Sequence, residues 1–310
     1  MSVKSYLKPQ SVANALSMAK EHANYLYFAG GTDIQVYLKQ QLKKPDHIID
    51  LSDINELRNI ESKDDNISMG SMTTLDAVNK NNPVIKEFPI LVEAANSIAT
   101  PVIRKTATVG GNILVNNRCN FYNQSFGWRE AIGSCLRDVG DLCQVTKTSG
   151  KCFSRNVSDL ATALLCLDAK VIISNQNEEI ELSIIDLYNQ DGIDFHKHLD
   201  HDGILTKIIL PINAGSTWYK KLRIRNTLDF SSLTVAVKVF ENRNFRIGLN
   251  GVSMSPVLIT GNLEMMDLNE IKSMARKSCK TVDNDMMPLK YRREMIEVYL
   301  DQWWASIKNK

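Results

Sequence analysis

The chain has 310 residues, of which 44% are hydrophobic and 23% charged; this is enough apolar material for two compact domains and excludes a disordered chain. Its 37 basic and 35 acidic residues leave a net charge of only +2, so no nucleic-acid or other polyanionic partner is expected. Residues Met1–Pro9 lack the apolar core of a signal peptide, and no run reaches the roughly 18 apolar residues of a membrane span, so a cytoplasmic protein without a membrane partner is expected.

Val12, Ala15, Leu16 and Ala19 recur at helical spacing and predict a helix over Ser11–Asn24, followed by a short buried strand at Tyr25–Phe28. The glycine turn Ala29-Gly30-Gly31-Thr32-Asp33 comes next. A helix over Asp33–Leu42 and a strand at His47–Leu51 complete a small βαβ-like unit. Ile67–Ser71 reads as a strand, Thr74 as the cap of a helix over Leu75–Asn79, and Phe88–Ala99 as a longer helix. A second glycine turn, Thr108-Val109-Gly110-Gly111-Asn112, precedes a cysteine-bearing segment over Asn116–Phe153. Leu160–Leu167 is then helical, Lys170–Ile173 extended, and Leu205–Leu210 a strand ended by Pro211.

The turn-rich stretch Ile212–Ser216 is expected to be a linker, which places one domain in residues 1–212 and a second in 213–310. Within the first, subdomains of about 1–55 and 56–212 are expected, with the cysteine insert at about 116–153. Beyond the linker, Leu233–Phe240 and Phe245–Leu249 form a hairpin around Glu241–Asn244, and Asn269–Cys279 and Arg292–Ser306 form helices. The chain is therefore α+β, with Trp303 and Trp304 expected to pack in the second core.

Three features carry chemistry. The first glycine turn lies after a strand and before a helix, where backbone N–H groups face outward, and Thr32 adds a hydroxyl; such a turn can hold a phosphate or can be a plain turn. The second turn repeats the device, and two separated anion-binding turns suit a dinucleotide. Neither reads G-x-G-x-x-G, so a Rossmann nicotinamide site is not expected.

Third, Cys119, Cys135, Cys143 and Cys152 fall in one short stretch at spacings of 16, 8 and 9. Four thiolates can hold a 4Fe-4S cube or a zinc ion, or remain unliganded. No close Cys-x-x-Cys pair of the zinc-knuckle kind is present. Cys166, in the apolar run Ala163–Leu167, and the isolated Cys279 read as buried inert thiols. His196, His198 and His201 read as an exposed loop, and none of the five histidines is near the insert in sequence.

Ala-Gly-Gly-Thr-Asp at 29–33, Ala-Thr-Val-Gly-Gly-Asn-Ile at 107–113, Ser158-Asp159-Leu160 and the Lys221…Arg225…Asp229 stretch, in this order, resemble the FAD-binding subunit of the molybdenum hydroxylases. The resemblance covers nearly the whole chain. It implies a two-subdomain FAD-binding domain of the vanillyl-alcohol-oxidase-like (PCMH) kind, followed by a small domain similar to the carboxy-terminal domain of the CO dehydrogenase flavoprotein. It places Ala29, Gly30, Gly31, Thr32 and Asp33, with Thr108, Gly110, Gly111 and Asn112, on the FAD pyrophosphate. Asp159 would lie near the adenosine end, and Ile204, Leu205 and Lys221 towards the isoalloxazine. The residues alone leave Asp159 open as a helix cap and Lys221 as part of a solvated basic run.

The chain departs from most of that family in spending about forty residues between the second glycine turn and Ser158-Asp159. The insert resembles the one in the flavin subunit of 4-hydroxybenzoyl-CoA reductase, which implies that Cys119, Cys135, Cys143 and Cys152 bind a 4Fe-4S cluster. The resemblance thus implies an electron-transfer subunit with FAD and 4Fe-4S and no catalytic residue of its own for the organic substrate. Its partners would be a molybdopterin-binding catalytic subunit, a 2Fe-2S subunit and a ferredoxin-type carrier. The FAD subunit of a xanthine, N-heterocycle or aldehyde dehydrogenase complex is the alternative. A flavin-free cluster-bearing binding or assembly protein and a self-contained flavin oxidase are readings of other classes.

Overall fold

The computed structural model describes residues 3–199 and 202–308; His201, assigned above to an exposed loop, lies outside the described residues. Among these residues no helix is long and apolar enough to cross a membrane.

Three sheets organise the chain. The first is parallel, in the order β1 (Ser5–Leu7), β3 (His47–Asp50), β2 (Tyr25–Phe28). Helix α1 (Val12–Glu21) connects β1 to β2 and helix α2 (Ile34–Lys39) connects β2 to β3, so the expected βαβ unit is present with an added edge strand. Ser11 caps α1 through its hydroxyl, which is why the helix starts after Ser11; His22, at its C-cap, is already extended, and Asn24 has left-handed φ, so the end expected at Asn24 comes earlier.

The second sheet is antiparallel, in the order β4 (Ile60–Ser62), β5 (Asn66–Gly70), β8 (Ile204–Pro211), β6 (Lys170–Ser174), β7 (Glu179–Ser183). Its helical cover comprises α3 (Leu75–Lys80), α4 (Asn82–Glu87), α5 (Pro89–Ser97), α6 (Pro101–Arg104) and α7 (Val109–Ile113). The insert is not all loop: helix α8 (Phe126–Ile132), capped by the Ser125 hydroxyl, lies within it, while residues 133–153 carry no regular element.

Helix α9 (Asp159–Cys166) is buried at every residue and packs against α5 and α7 on one side and the third sheet on the other. Gly248 permits this close approach, because a Cβ there would meet Thr162. The Cys166 thiol donates to the Ala236 carbonyl at 3.1 Å and accepts the Gly248 amide at 3.2 Å, consistent with an inert core thiol.

The third sheet is antiparallel, in the order β12 (Val257–Asn262), β11 (Asn244–Asn250), β10 (Leu233–Phe240), β9 (Gly215–Leu222). Helices α10 (Leu268–Ser278) and α11 (Leu289–Lys308) cover its other face, with Trp303 fully buried against Phe245. The linker expected over Ile212–Ser216 is shorter, because strand β9 starts at Gly215; pairing to β10 overrides the turn-rich composition.

Candidate functional site

A cavity of about 650 Å³ opens among the three sheets, within the usual size range for a bound cofactor. Every residue singled out for the flavin lines it: Ala29, Gly30, Gly31, Thr32, Asp33, Thr108, Gly110, Gly111, Asn112, Asp159, Ile204, Leu205 and Lys221. Met72, Ile103, Leu114 and Phe230 add an apolar wall that no motif announces.

The two glycine turns, far apart in sequence, are neighbours in space. Gly30 rests on the Thr106 carbonyl, where a Cβ would collide. Gly31 has φ +71° and lies against the Phe28 ring, so both its conformation and its space require glycine. No acceptor in the described residues takes the amides of Gly30, Gly31, Thr32 or Asp33, so these N–H groups are available to an anion.

The second turn is the short helix α7, and its amides are already used. Val109 N–H donates to the Thr73 carbonyl at 2.8 Å, Gly110 N–H to the Ser71 carbonyl at 2.8 Å, and Gly111 N–H to the Thr108 hydroxyl at 3.1 Å. A Cβ on Gly110 would stand 2.9 Å from the Ser71 carbonyl oxygen, so this glycine serves close packing. The structure therefore gives the first turn the free donors and the second the task of shaping the wall. Asn112 is tied down through its side-chain oxygen, which accepts from the Ser158 hydroxyl and the Leu160 amide, both at 3.1 Å.

Ser158, not Asp159, caps α9, its hydroxyl accepting from the Ala161 amide at 3.0 Å. Asp159 is left to pair with Lys221 at 2.5 Å, both side chains being about 95% buried. Lys221 is thus no member of a solvated basic run: strand alternation exposes Lys220 and turns Lys221 inward. Asp159 also accepts from the Thr234 hydroxyl at 2.9 Å, and Lys221 donates to the Ser97 carbonyl at 3.2 Å. Burial and the Asp159 charge hold the neighbouring Tyr219 phenol well above its ordinary pKa, so it stays a neutral donor. This pair corrects one assignment: residues in contact cannot mark opposite ends of the flavin, so Asp159 and Lys221 belong to one end of the cavity.

Cys119, Cys135, Cys143 and Cys152 all line a second, small cavity of about 10 Å³. Cys119, Cys143 and Cys152 are buried and Cys135 is half-buried. Burial pushes the Cys119 thiol up to about 11. At Cys143 burial is outweighed by the amides of Thr146, Val145 and Phe153 and the Thr146 hydroxyl, which bring its pKa below the ordinary thiol value. Gly192 packs on Cys152, where a Cβ would stand 2.8 Å from the sulfur. Among the described residues, no three or more His, Cys, Asp or Glu side chains are grouped as ligands for a single metal ion.

The loop carrying His196 is next to the insert in space and is not simply exposed. The His196 ring packs at 4.7 Å from Phe195 and 5.6 Å from Tyr188, and burial pushes its pKa down to about 3, while His198 is exposed.

Arg118, which precedes Cys119, joins the two cavities. Its guanidinium donates to Asp33 and to the Tyr37 hydroxyl and stacks 4.2 Å from the centre of the Phe230 ring. Asp33 and Phe230 line the large cavity, so the side chain next to Cys119 in the chain reaches the lip of that cavity. Sequence periodicity carries no signal for this tie, because Asp33 and Arg118 are 85 residues apart.

Residues 1–213 match the family described as the FAD binding domain in molybdopterin dehydrogenase. The chain belongs to this family and is the FAD-binding subunit of an oxidoreductase of the molybdenum hydroxylase type. It is 26% identical over 261 residues to the FAD-binding subunit of an Escherichia coli aldehyde oxidoreductase, covering 81% of this chain and 82% of the relative. It is 22% identical to the medium chain of glyceraldehyde dehydrogenase from Sulfolobus acidocaldarius, over 95% of this chain and 94% of that one. The fold matches a chain of CO dehydrogenase from Oligotropha carboxidovorans with a TM-score of 0.77 at 21% identity, covering 97% of this chain and 96% of that one.

The free amides of the first turn, the close-packed glycines and the apolar wall fit FAD, which when bound supplies the exchange of one or two electrons. The chain's own residues then have simple tasks. The first turn would offer its amides to a phosphate, the apolar wall would exclude water from an apolar ring, and the buried Asp159–Lys221 pair would present a fixed dipole to the cavity.

Proposed function

We propose that this chain is an electron-transfer subunit that carries a 4Fe-4S cluster beside FAD in a heteromeric molybdenum hydroxylase or reductase, of the 4-hydroxybenzoyl-CoA reductase type. The observation that carries the reading is the convergence of four cysteines, spread over residues 119–152, on one cavity joined by Arg118 to the FAD cavity. Four thiols that line one space can complete the ligation of a 4Fe-4S cluster, and the sequence lacks the close Cys-x-x-Cys pair usual in a zinc knuckle. Amide and hydroxyl donors aimed at the sulfurs of Cys119, Cys143 and Cys152 are the contacts that stabilise cluster thiolates.

In this reading the FAD site is made by residues 29–33, 108–112, Asp159, Ile204, Leu205 and Lys221, in a domain of residues 1–212 followed by a second of 213–310. Electrons pass between a ferredoxin-type carrier and a molybdopterin-binding subunit through 4Fe-4S, FAD and a 2Fe-2S subunit, and the substrate is transformed on the molybdopterin-binding chain. Six free cysteines agree with a reducing cytoplasm.

Relatives named for aldehydes support the alternative, an aldehyde or N-heterocycle dehydrogenase complex. Purification of the native complex under anaerobic conditions separates the two. The proposed reading expects iron and sulfide beyond the 2Fe-2S complement, loss of that excess in Cys143→Ala with FAD retained, and flavin reduction by reduced ferredoxin but not by NADH. Rapid stoichiometric reduction by NADH, or an unchanged cluster signal in Cys143→Ala, would overturn it.

A further inference from the structure

A cavity that takes a diphosphate must neutralise its own carboxylates, and three line this one: Asp33, Asp159 and Asp229. Each has a cation against it. Lys221 pairs with Asp159 and Arg225 with Asp229, and both of these cations line the cavity themselves. The counter-ion of Asp33 is Arg118, which comes from the cysteine-bearing insert 85 residues on.

Asp33 is where an uncompensated charge would interfere most. It closes the first glycine turn, beside the amides of Gly30, Gly31, Thr32 and its own, which have no acceptor among the described residues. An aspartate just before a helix normally turns its carboxylate onto the first helical amides. Asp33 makes no such bond to α2; its Oδ1 accepts from Arg118 instead. The guanidinium is itself fixed. It donates to the Tyr37 hydroxyl, which also accepts from the Asn123 side-chain amide at 3.1 Å, and it stacks on the Phe230 ring at 4.2 Å and the Tyr37 ring at 4.9 Å. With 9% of its side chain exposed against 31% for Asp33, Arg118 is the anchored member of the pair.

We propose that Arg118 is a positioning residue of the FAD site: it holds the Asp33 carboxylate off the glycine turn and cancels its charge, so that the free amides meet a phosphate and not a competing carboxylate. The inference rests on the reading of residues 29–33 as the phosphate-binding turn. Without Arg118, the carboxylate stands uncompensated at the lip of the cavity, where it repels a diphosphate and can itself accept from the amides. The insert thereby contributes to flavin affinity whatever its cysteines hold.

The test uses the full chain, stripped of flavin and titrated with FAD while flavin fluorescence is followed. Arg118→Met is expected to bind FAD on the order of tenfold more weakly than the wild type in about 0.1 M salt, with the deficit shrinking at about 1 M, where the charge is screened. Arg118→Lys, which keeps the cation but loses the planar fork, should retain most of the affinity. Asp33→Asn added to Arg118→Met should restore it, because the repelling charge is gone. A mere strut would give a deficit indifferent to salt and to the second substitution; that result overturns the inference, as does wild-type affinity in Arg118→Met. If Arg118→Met does not fold, Arg118→Gln decides: a deficit relieved by salt supports the inference, and a salt-independent deficit or none overturns it. The turn reading is tested separately by Gly31→Ala, which forces a side chain at φ +71° against the Phe28 ring. Weakened FAD binding there supports the reading on which the inference rests, and undiminished binding overturns it.

Discussion

The large cavity takes its walls from strand ends, helix termini and the turns between them, whereas the thiol pocket takes its sulfurs from loops around one short helix. The backbone of the first is held by its own sheets, so the space is shaped before any cofactor enters. The second is held by arginine struts. Arg129 bonds Asp138 at 2.9 Å and the Gln124 carbonyl at 2.6 Å, Arg137 bonds the Asn117 carbonyl at 2.6 Å, and Arg118 reaches Asp33. Arg137 also stacks on Tyr122 at 4.3 Å and Phe195 at 5.3 Å. The difference separates a preformed site from one whose loops depend on side-chain ties and on what they bind.

Three substitutions press on this comparison. The largest effect is expected inside the preformed cavity: Lys221→Met strands the buried Asp159 carboxylate and costs about 3–5 kcal/mol in urea unfolding, with FAD lost from the purified chain. Full flavin occupancy at wild-type stability would show that the pair is dispensable. Arg118→Met comes next, at about 1–3 kcal/mol, because it removes the charged hydrogen bonds to Asp33 and Tyr37. Limited proteolysis should then cut first between residues 133 and 153; cleavage first in the sheets would contradict the strut description.

The smallest effect near neutral pH is a pH dependence beside the insert, which grows only as the solution is acidified. With a folded pKa of about 3 against an ordinary 6.5, His196 must take up a proton on unfolding at intermediate pH. Stability therefore falls as pH drops below 6.5 and stops falling from this source below about 3, by at most roughly 1.4 kcal/mol per pH unit. His196→Phe should flatten the slope of unfolding free energy between pH 6.5 and 5, and an unchanged slope would show that the ring is hydrated.

The α+β character, the βαβ unit, the β10–β11 hairpin and the two glycine turns were legible because each rests on a local pattern, whereas Asp159, Ile204, Leu205 and Lys221 were placed at the site only by resemblance to a family. Short edge strands were not: β1, β4, β7 and β12 are three to six residues long and become strands only through their neighbours. The different tasks of the two glycine turns were hidden for a related reason. The sequence makes them alike, and only the Thr73 and Ser71 carbonyls that receive the Val109 and Gly110 amides set the second apart.

By itself the sequence determined that two glycine turns and four thiols were worth attention, since glycine pairs after strands and clustered cysteines are local and chemically specific signals, and each set lines one cavity. Only the tertiary structure decided the partners: Asp159 with Lys221, Asp33 with Arg118, Arg155 with Asp285. These pairs join residues 62, 85 and 130 positions apart, a separation that no periodicity encodes and that burial of charge enforces once the sheets have packed.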